Sequence, residues 1–267
     1  MFLCQKQDLF LTFLRKYVMI FDRIYQKGCA MPIRFILFDL DGTLLPMDQN
    51  VFLKTYFSGL AQKLVPLGYN PEELFQSIWK GTGMMLKNDG TVKNEVRFWQ
   101  VMHEIYGEKI DSAIPCFEDF YAHEFALVQK VCGYQPLAAE TVRELKRRGY
   151  TVVLATQPAF PSVATESRIR WAGLEPNEFA YFTTYENSSY CKPNLNYYLE
   201  VANAVGAKPE ECLMVGNDIS DDMPARELGM KVFLLTDCLI AKDGESPEAY
   251  PHGDFCDLMS YIDSLAD

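Results

Sequence analysis

A short apolar run that leads directly into two acids constrains this chain more than any other feature. Residues 35–38 read Phe-Ile-Leu-Phe, and Asp-Leu-Asp-Gly-Thr follows at positions 39–43. A continuous apolar run of this length is typical of a strand buried on both faces of a sheet. Residues two apart on an extended segment point the same way, so Asp39 and Asp41 are expected to serve one site.

Further apolar runs alternate with helical patterns along the second half of the chain. The predicted strands after the first cover residues 151–155, 180–183, 212–215 and 232–235. The predicted helices beside them cover residues 137–148, 162–172, 194–205 and 221–228. Alternation of this kind predicts an α/β fold with a doubly wound, Rossmann-like parallel sheet.

Only helical patterns occur between the first strand and the rest of the predicted sheet. They cover residues 51–65, 71–79, 93–106 and 113–131. We therefore predict a core domain over residues 31–46 and 135–267, with a smaller, all-helical domain inserted over residues 47–134. Residues 1–30 are predicted to be a helical N-terminal extension, because apolar residues recur there at helical spacing. Packing on the body, an upstream extension before a start at Met31 and a membrane-surface anchor are the alternatives for it.

Composition excludes several classes of protein. The net charge of −11 over 267 residues disfavours nucleic acid as a partner. No stretch reaches the roughly 20 apolar residues of a membrane-spanning helix, so no integral membrane segment is expected. The eight cysteines form no C-x-x-C pair, which argues against zinc and favours a cytoplasmic location. Composition leaves the oligomeric state open.

The residues after each predicted strand carry the candidate chemistry, because ligands of open parallel sheets bind beyond the carboxyl ends of the strands. The first strand leads to positions 39–43, and the second leads to Thr156 and Gln157. Lys192 and Pro193 follow the third, and Gly-Asn-Asp-Ile-Ser-Asp-Asp at positions 216–222 follows the fourth. An Asp-Gly or Lys-Pro pair alone would be an ordinary turn, but four such motifs in this order favour catalysis.

Taken together, these motifs resemble the haloacid dehalogenase-like superfamily of phosphotransferases. The resemblance runs from about residue 35 to residue 235, and Asp-Leu-Asp-Gly-Thr-Leu is its most specific part. The helical insertion falls where the superfamily carries a C1-type cap domain. One departure is Gln157, since many members have Asn at that position, where a backbone N–H contacts phosphate.

The resemblance implies a role for each motif residue. Asp39 is expected to be the nucleophile that forms an aspartyl-phosphate, and Asp41 the general acid and base. Thr156, the Gln157 amide and Lys192 are expected to hold the phosphoryl group. The expected supporting residues are Thr43, which would orient Asp41 or its loop, and Asp222, which would support Asp218 or a metal-bound water.

Magnesium is the cofactor that the resemblance implies. Its expected ligands are the Asp39 carboxylate, the Asp41 backbone carbonyl and the Asp218 carboxylate. Converging carboxylates repel one another at low dielectric, and a hard cation with oxygen ligands resolves that repulsion. Charged or polar residues beside the inserted helices (Lys80, Thr82, Lys87 and Arg97) are candidates for contact with the rest of the substrate.

The predicted function is a Mg²⁺-dependent phosphatase that acts on a small phosphorylated metabolite. A phosphomutase is the alternative closest in chemistry, since it passes the phosphoryl group to a second hydroxyl instead of water. A non-catalytic binding protein on the same fold is the alternative from another class. Dehalogenation is disfavoured by the acid at Asp41, and phosphonate cleavage would need a lysine from the insertion.

Overall fold

A computed structural model describes residues 33–265, and the predicted N-terminal extension over residues 1–30 lies outside them. The described chain forms one parallel sheet flanked by helices. Its strands are β1 (Phe35–Phe38), β2 (Thr151–Leu154), β3 (Cys212–Gly216), β4 (Lys231–Leu235) and β5 (His252–Gly253). They are hydrogen-bonded in the order β2-β1-β3-β4-β5, all parallel. The predicted fold class is therefore confirmed.

One predicted strand is reduced to a single bridge. Residues 180–183 run beside β2, where Phe182 bridges Leu154 and the Ala180 N–H donates to the Val152 carbonyl at 2.9 Å. The Leu154 N–H donates to the Tyr181 carbonyl at 2.9 Å and the Thr183 N–H to the Leu154 carbonyl at 3.0 Å, so the segment is hydrogen-bonded along β2 although it is not a regular strand. Strand β5 was not predicted, because two residues are too short to form a hydrophobic pattern.

The inserted segment is helical from residue 49 to residue 131 apart from short loops, as predicted. Its helices are α1 (Gln49–Leu64), α2 (Pro71–Leu86), α3 (Asn94–Tyr106) and α4 (Ile114–Ala122), joined by 3₁₀ segments. Helix α2 continues seven residues beyond the predicted end at position 79, through Gly81. A side chain at Gly81 would meet the Phe98 ring at 2.7 Å, so this glycine allows α2 and α3 to pack closely. The predicted helix over residues 113–131 breaks at His123, whose φ of −126° is not helical.

The remaining helices are α5 (Pro136–Arg147), α6 (Ser162–Trp171), α7 (Leu195–Ala204) and α8 (Phe255–Leu265). The predicted helical segment over residues 221–228 is shorter than expected and is a 3₁₀ helix. Met223–Leu228 is a 3₁₀ helix with a proline in its first turn, and it ends at Gly229, which has φ +88°. Among the described helices, none is both long and apolar enough to cross a membrane.

Strand β1 lies between β2 and β3 in the sheet and is buried on both faces. Ile36 and Phe38 join one apolar cluster, whereas Phe35 and Leu37 join a second cluster on the opposite face. The first cluster also takes in residues of the insertion, including Phe52, Tyr56 and Phe125. Because apolar packing is continuous from the sheet into the helices, the insertion packs directly against the core.

The two chain segments that enter and leave the helical insertion lie side by side. Met47 and Cys132 form an antiparallel bridge, and the Gly133 N–H donates to the Pro46 carbonyl at 2.7 Å. The insertion therefore joins the core through a single paired stem. The stem begins within ten residues of Asp39, so the motif at positions 39–43 and the insertion are close along the chain.

Candidate active site

The carboxyl ends of β1, β2 and β3 meet at one edge of the sheet. The Asp39 N–H donates to the Val215 carbonyl at 2.9 Å, and the Ala155 N–H donates to the Phe38 carbonyl at 2.7 Å. The parallel ladder thereby brings Asp39 level with the residues that follow the neighbouring strands, which is where ligands of open parallel sheets bind.

Lys192 joins two of the predicted site residues at this edge. Its Nζ donates to Asp39 Oδ1 at 2.8 Å and to Asp222 Oδ1 at 2.7 Å, and the residue is only 2% exposed. Burial lowers the pKa of Lys192, but the charges of Asp222 and Asp39 raise it by more. The pKa of Lys192 therefore lies well above its ordinary value. Burial, reinforced by Asp39 and opposed by Lys192, raises the pKa of Asp222 to about 7. The ammonium is thus a permanent positive charge between two carboxyls.

Thr43 holds the opposite oxygen of Asp39. Its Oγ1 lies 3.2 Å from Asp39 Oδ2 and 2.8 Å from Asn217 Oδ1, and its single hydrogen serves one acceptor at a time. We expected Thr43 to orient Asp41 or its loop, and its contacts instead orient Asp39. Gly42 has φ +88°, and a Cβ there would lie 2.4 Å from Asn217 Nδ2. Glycine at this position therefore allows both the turn and the approach of Asn217.

Asp41 is engaged by a residue that the sequence analysis did not name. Its Oδ2 accepts a hydrogen bond from Arg168 Nη1, whose side chain on α6 is fully buried. Arg168 also donates to Thr165 Oγ1 at 3.2 Å and stacks on the Phe160 ring at 4.5 Å. Burial raises the pKa of Asp41, and Arg168 offsets part of that rise. Asp41 Oδ1 is buried and has no hydrogen-bond partner among residues 33–265.

Thr156 presents a second unpartnered polar atom. Its Oγ1 is buried without a hydrogen-bond partner, while its carbonyl accepts from Thr183 Oγ1 and Tyr197 Oη, both at 2.7 Å. Two bonds to the main chain therefore fix the residue and leave the hydroxyl available to an oxyanion. The Gln157 side chain has a structural part, because it pairs with the Lys192 main chain through bonds of 3.0 and 3.2 Å.

The loop after β3 holds three acids in different surroundings. Asp218 Oδ1 accepts from the N–H groups of Ser220 and Asp221 at 2.8 and 3.0 Å. Asp222 Oδ2 accepts from the Asp218 N–H at 3.0 Å, which fixes the start of the loop. Burial and the neighbouring Asp221 raise the pKa of Asp218. Burial also raises the pKa of Asp221, which Lys192 lowers and Asp39 raises again.

The donor set fits magnesium but not a metal bound by a cage of side chains. Within residues 33–265, no group of three or more His, Cys, Asp or Glu side chains is arranged to hold a metal ion. Magnesium commonly takes one or two carboxylates and completes its octahedron with water and substrate oxygens. The expected set of Asp39, the Asp41 carbonyl and Asp218 contains only two carboxylates, so it is compatible with that geometry.

Three residues of this edge were missed or undervalued from sequence. Arg168 lies in an ordinary helical pattern, and Asn217 and Asp221 lie inside a motif whose other acids attracted attention. Position in the motif was a usable signal for Asn217 and Asp221. Nothing local marks Arg168, because its role depends on Asp41, 127 positions earlier in the chain.

The candidate substrate contacts in the insertion have mixed surroundings. Arg97 pairs with Asp89 at 3.1 Å and with Asn88, so its charge is already partly balanced. Lys80 and Lys87 are exposed, and Thr82 lines a cavity beside the insertion.

The described cysteines are free thiols.

The fold is a doubly wound parallel sheet with a helical cap after its first strand. Carboxylates and a lysine lie at the ends of its strands. Together these features define a capped α/β enzyme. The sequence model of the haloacid dehalogenase-like hydrolase family matches residues 33–229 of this chain. The chain belongs to this family, and it is therefore a hydrolase. The predicted family and enzyme class are confirmed.

Curated relatives and solved structures agree with this assignment. The chain is 28% identical over 231 residues to pyrophosphatase PpaX of Bacillus cereus strain AH820, covering 86% of this chain and 94% of that protein. A predicted phosphoglycolate phosphatase from Haemophilus somnus 129PT superposes with a TM-score of 0.54 at 18% identity, covering 86% of this chain and 97% of that one. A 2-haloacid dehalogenase from Pseudomonas syringae pv. tomato DC3000 gives 0.55 at 19% identity, covering 87% and 98%. The two structures support the fold alone.

Proposed function

We propose that this hydrolase is a Mg²⁺-dependent phosphatase that cleaves a small phosphomonoester through an aspartyl-phosphate. The observation that carries the proposal is the position of Lys192, whose Nζ bonds Asp39 at 2.8 Å while Asp41 leaves the same strand end. A nucleophilic carboxylate beside a fixed cation is the arrangement that phosphoryl transfer needs, because positioning and charge stabilisation dominate that reaction.

In the first step an Asp39 carboxylate oxygen attacks phosphorus, and the bond from phosphorus to the ester oxygen breaks. Asp41 transfers its proton to the departing alkoxide, which leaves as an alcohol. The raised pKa of Asp41 supports this role, since burial favours the protonated acid. Lys192 and the Thr156 hydroxyl would stabilise the phosphoryl oxygens as charge develops on them.

In the second step water attacks the phosphorus of the aspartyl-phosphate, and the bond to the Asp39 oxygen breaks. Asp41, now a carboxylate, takes the proton from that water, so inorganic phosphate leaves and both acids return to their initial states. The Arg168 guanidinium supports the charged form of Asp41 during this step, because it lowers the pKa of that carboxyl.

The Asp39 carboxylate, the Asp41 carbonyl and the Asp218 carboxylate would hold magnesium beside the phosphate. When bound, the ion supplies positive charge that neutralises the transferring group. Asp222 would act indirectly, since it anchors both Lys192 and the Asp218 N–H.

The substrate class is a small phosphorylated metabolite of the cytoplasm. The curated relatives named as pyrophosphatases support hydrolysis of a phosphate bond, and the acidic chain disfavours nucleic acid. A cytoplasmic site of action accords with eight cysteines that lack any C-x-x-C pair.

The experiment is phosphate release from a panel of phosphorylated metabolites, measured with Mg²⁺ and with EDTA. Asp39→Asn should abolish turnover and keep the wild-type circular dichroism, because the amide is a poor nucleophile of nearly the same shape. Asp243→Asn, an exposed acid, is the matched control and should retain full activity. Turnover by Asp39→Asn would refute the covalent step, and activity unaffected by EDTA would refute the metal requirement. Isomerised substrate without phosphate release would show a mutase instead.

A further inference from the structure

A cavity separate from the catalytic edge lies between the helical insertion and the start of α6. Its volume is about 640 Å³, and none of the proposed catalytic or metal-binding residues lines it. Aromatic side chains form much of its wall, including Tyr56, Trp79, Trp99, Tyr121, Phe160 and Tyr185. Cavities of this size are large enough for a small organic ligand.

The charged side chains of the wall are all acidic. They are Glu95, Glu118, Glu166 and Glu186, and the lining contains no lysine, arginine or histidine. Two of these acids have partners outside the cavity or in its wall. Glu166 pairs with Arg170 at 3.0 Å, and Glu186 accepts the Ser162 N–H at 2.8 Å. Negative charge is therefore in excess on the wall.

Glu95, which has no ion-pair partner among the described residues, is less exposed than Glu118, which has none there either. Glu95 is partly buried on α3, and burial together with Glu186 raises its pKa. Burial is the larger cause of this rise and Glu186 the smaller, and no cationic side chain of the described residues opposes them. A positive ligand in the cavity would relieve this repulsion, whereas a phosphate or carboxylate would increase it.

Aromatic faces reinforce the same preference, because the negative face of a π-system attracts a cation, and desolvated aromatic cages recognise quaternary ammonium groups. Trp79 is 54% exposed although it belongs to the wall, so this ring is accessible to a ligand arriving from solvent. Phe160 closes the cavity on the catalytic side, where its other neighbour is the Arg168 guanidinium.

We propose that this cavity, walled by aromatic rings and by Glu95 and Glu186, binds an organic ammonium group. The site is distinct from the catalytic edge, and the proposal does not require the protein to be a phosphatase. Choline is the probe, because it is a small quaternary ammonium ion. Its neutral isostere 3,3-dimethylbutan-1-ol is the matched control, since it has the same shape without the charge.

Tryptophan fluorescence reports binding directly, because Trp79 and Trp99 are two of the three tryptophans and both line the cavity. Choline should change the emission saturably, and isothermal titration should return the same Kd. The neutral alcohol should bind at least about tenfold more weakly. No saturable response to choline, or equal affinity for the alcohol, would overturn the proposal.

Glu95→Gln tests the charge without changing the shape of the wall. We expect choline affinity to fall about fivefold or more, with the melting temperature unchanged. Glu104→Gln, an exposed acid on the same helix and outside the cavity, is the control and should bind like the wild type. A second variant, Trp79→Leu, removes a half-exposed ring that the core does not need, and it should weaken binding similarly. Wild-type affinity in both cavity variants would contradict the assignment.

The source of the ammonium group is resolved by a competition experiment. If the group belongs to the substrate, choline should inhibit hydrolysis of phosphocholine competitively and should not affect inorganic pyrophosphate. If it belongs to a separate ligand, the saturable fluorescence change should persist in Asp39→Asn, and choline should leave the KM for phosphocholine unchanged. Either result retains the cavity as an ammonium site.

Discussion

Replacing Lys192 with methionine should destabilise the protein strongly as well as inactivate it. The lysine is 2% exposed and bonds two carboxylates whose side chains are 10% and 1% exposed, those of Asp39 and Asp222. Methionine keeps the length of the stem but removes the charge, so two acids remain facing each other in a region that water reaches poorly. Breaking a buried ion pair from one side costs about 3–5 kcal/mol, because the remaining charge is uncompensated.

For a domain of this size that loss corresponds to a fall of roughly 6–20 °C in Tm. Urea denaturation in EDTA measures the free energy of unfolding without contribution from a metal. Lys231→Met, an exposed lysine at the start of β4, is the matched control and should change stability by no more than about 0.5 kcal/mol.

The double variant Lys192→Met with Asp222→Asn separates lost attraction from exposed repulsion. Removing one of the two facing charges should return at least about 1 kcal/mol of the stability that Lys192→Met loses, while phosphate release stays absent. A single variant that costs less than about 1 kcal/mol, or a double variant whose effects simply add, would refute the view that Lys192 balances two buried carboxylates.

Three further predictions concern the same edge. Arg168→Met should lower kcat about tenfold or more and move the Asp41 limb of the pH profile upwards, because the guanidinium lowers that pKa; an unmoved limb would count against it. Asp218→Asn should raise the Mg²⁺ concentration for half-maximal activity about tenfold or more, and a shift seen only in Asp221→Asn would reassign the ligand. Burial raises the folded-state pKa of Asp222 to about 7, so the folded protein binds this proton more tightly than the unfolded chain does. The stability that the protonated acid contributes is present at low pH and is lost as the pH rises towards 7. In EDTA, wild type should therefore lose at least about 1 kcal/mol relative to Asp222→Asn between pH 4 and pH 7.5, and parallel curves would contradict this sign.

The sheet and its principal motifs could be predicted because their signals are local. An apolar run of four residues before Asp39, repeated at β3 and β4, has few interpretations other than a buried strand. The parallel ladder then determines that the ends of β1, β2 and β3 meet, which brings the residues after β2 and β3 beside Asp39. The predicted strand over residues 180–183 is hydrogen-bonded to β2 but forms only one bridge, because regular pairing, unlike hydrophobicity, depends on the backbone of another segment.

Contacts between distant segments could not be predicted in the same way. Arg168 and Arg170 are two positions apart on α6, yet the first is fully buried and the second is 48% exposed at its side chain. Helical periodicity distinguishes faces, but it assigns a charged residue to the solvated face by default. The buried position is favourable for Arg168 because the Asp41 carboxylate lies beside it. That partner follows β1, in another part of the chain.

The paired stem at Pro46 and Gly133 makes the cap a removable part in the topological sense. Because the two strands of the stem are in hydrogen-bond contact, a short turn grafted there could reconnect the chain without stretching the sheet. Removing the insertion would, however, expose the rings of Phe160 and Trp171, because both pack against Phe125 of the insertion. A cap exchanged between relatives must therefore carry its own apolar footprint for those two rings, which limits the inserts that evolution or an engineer can transplant.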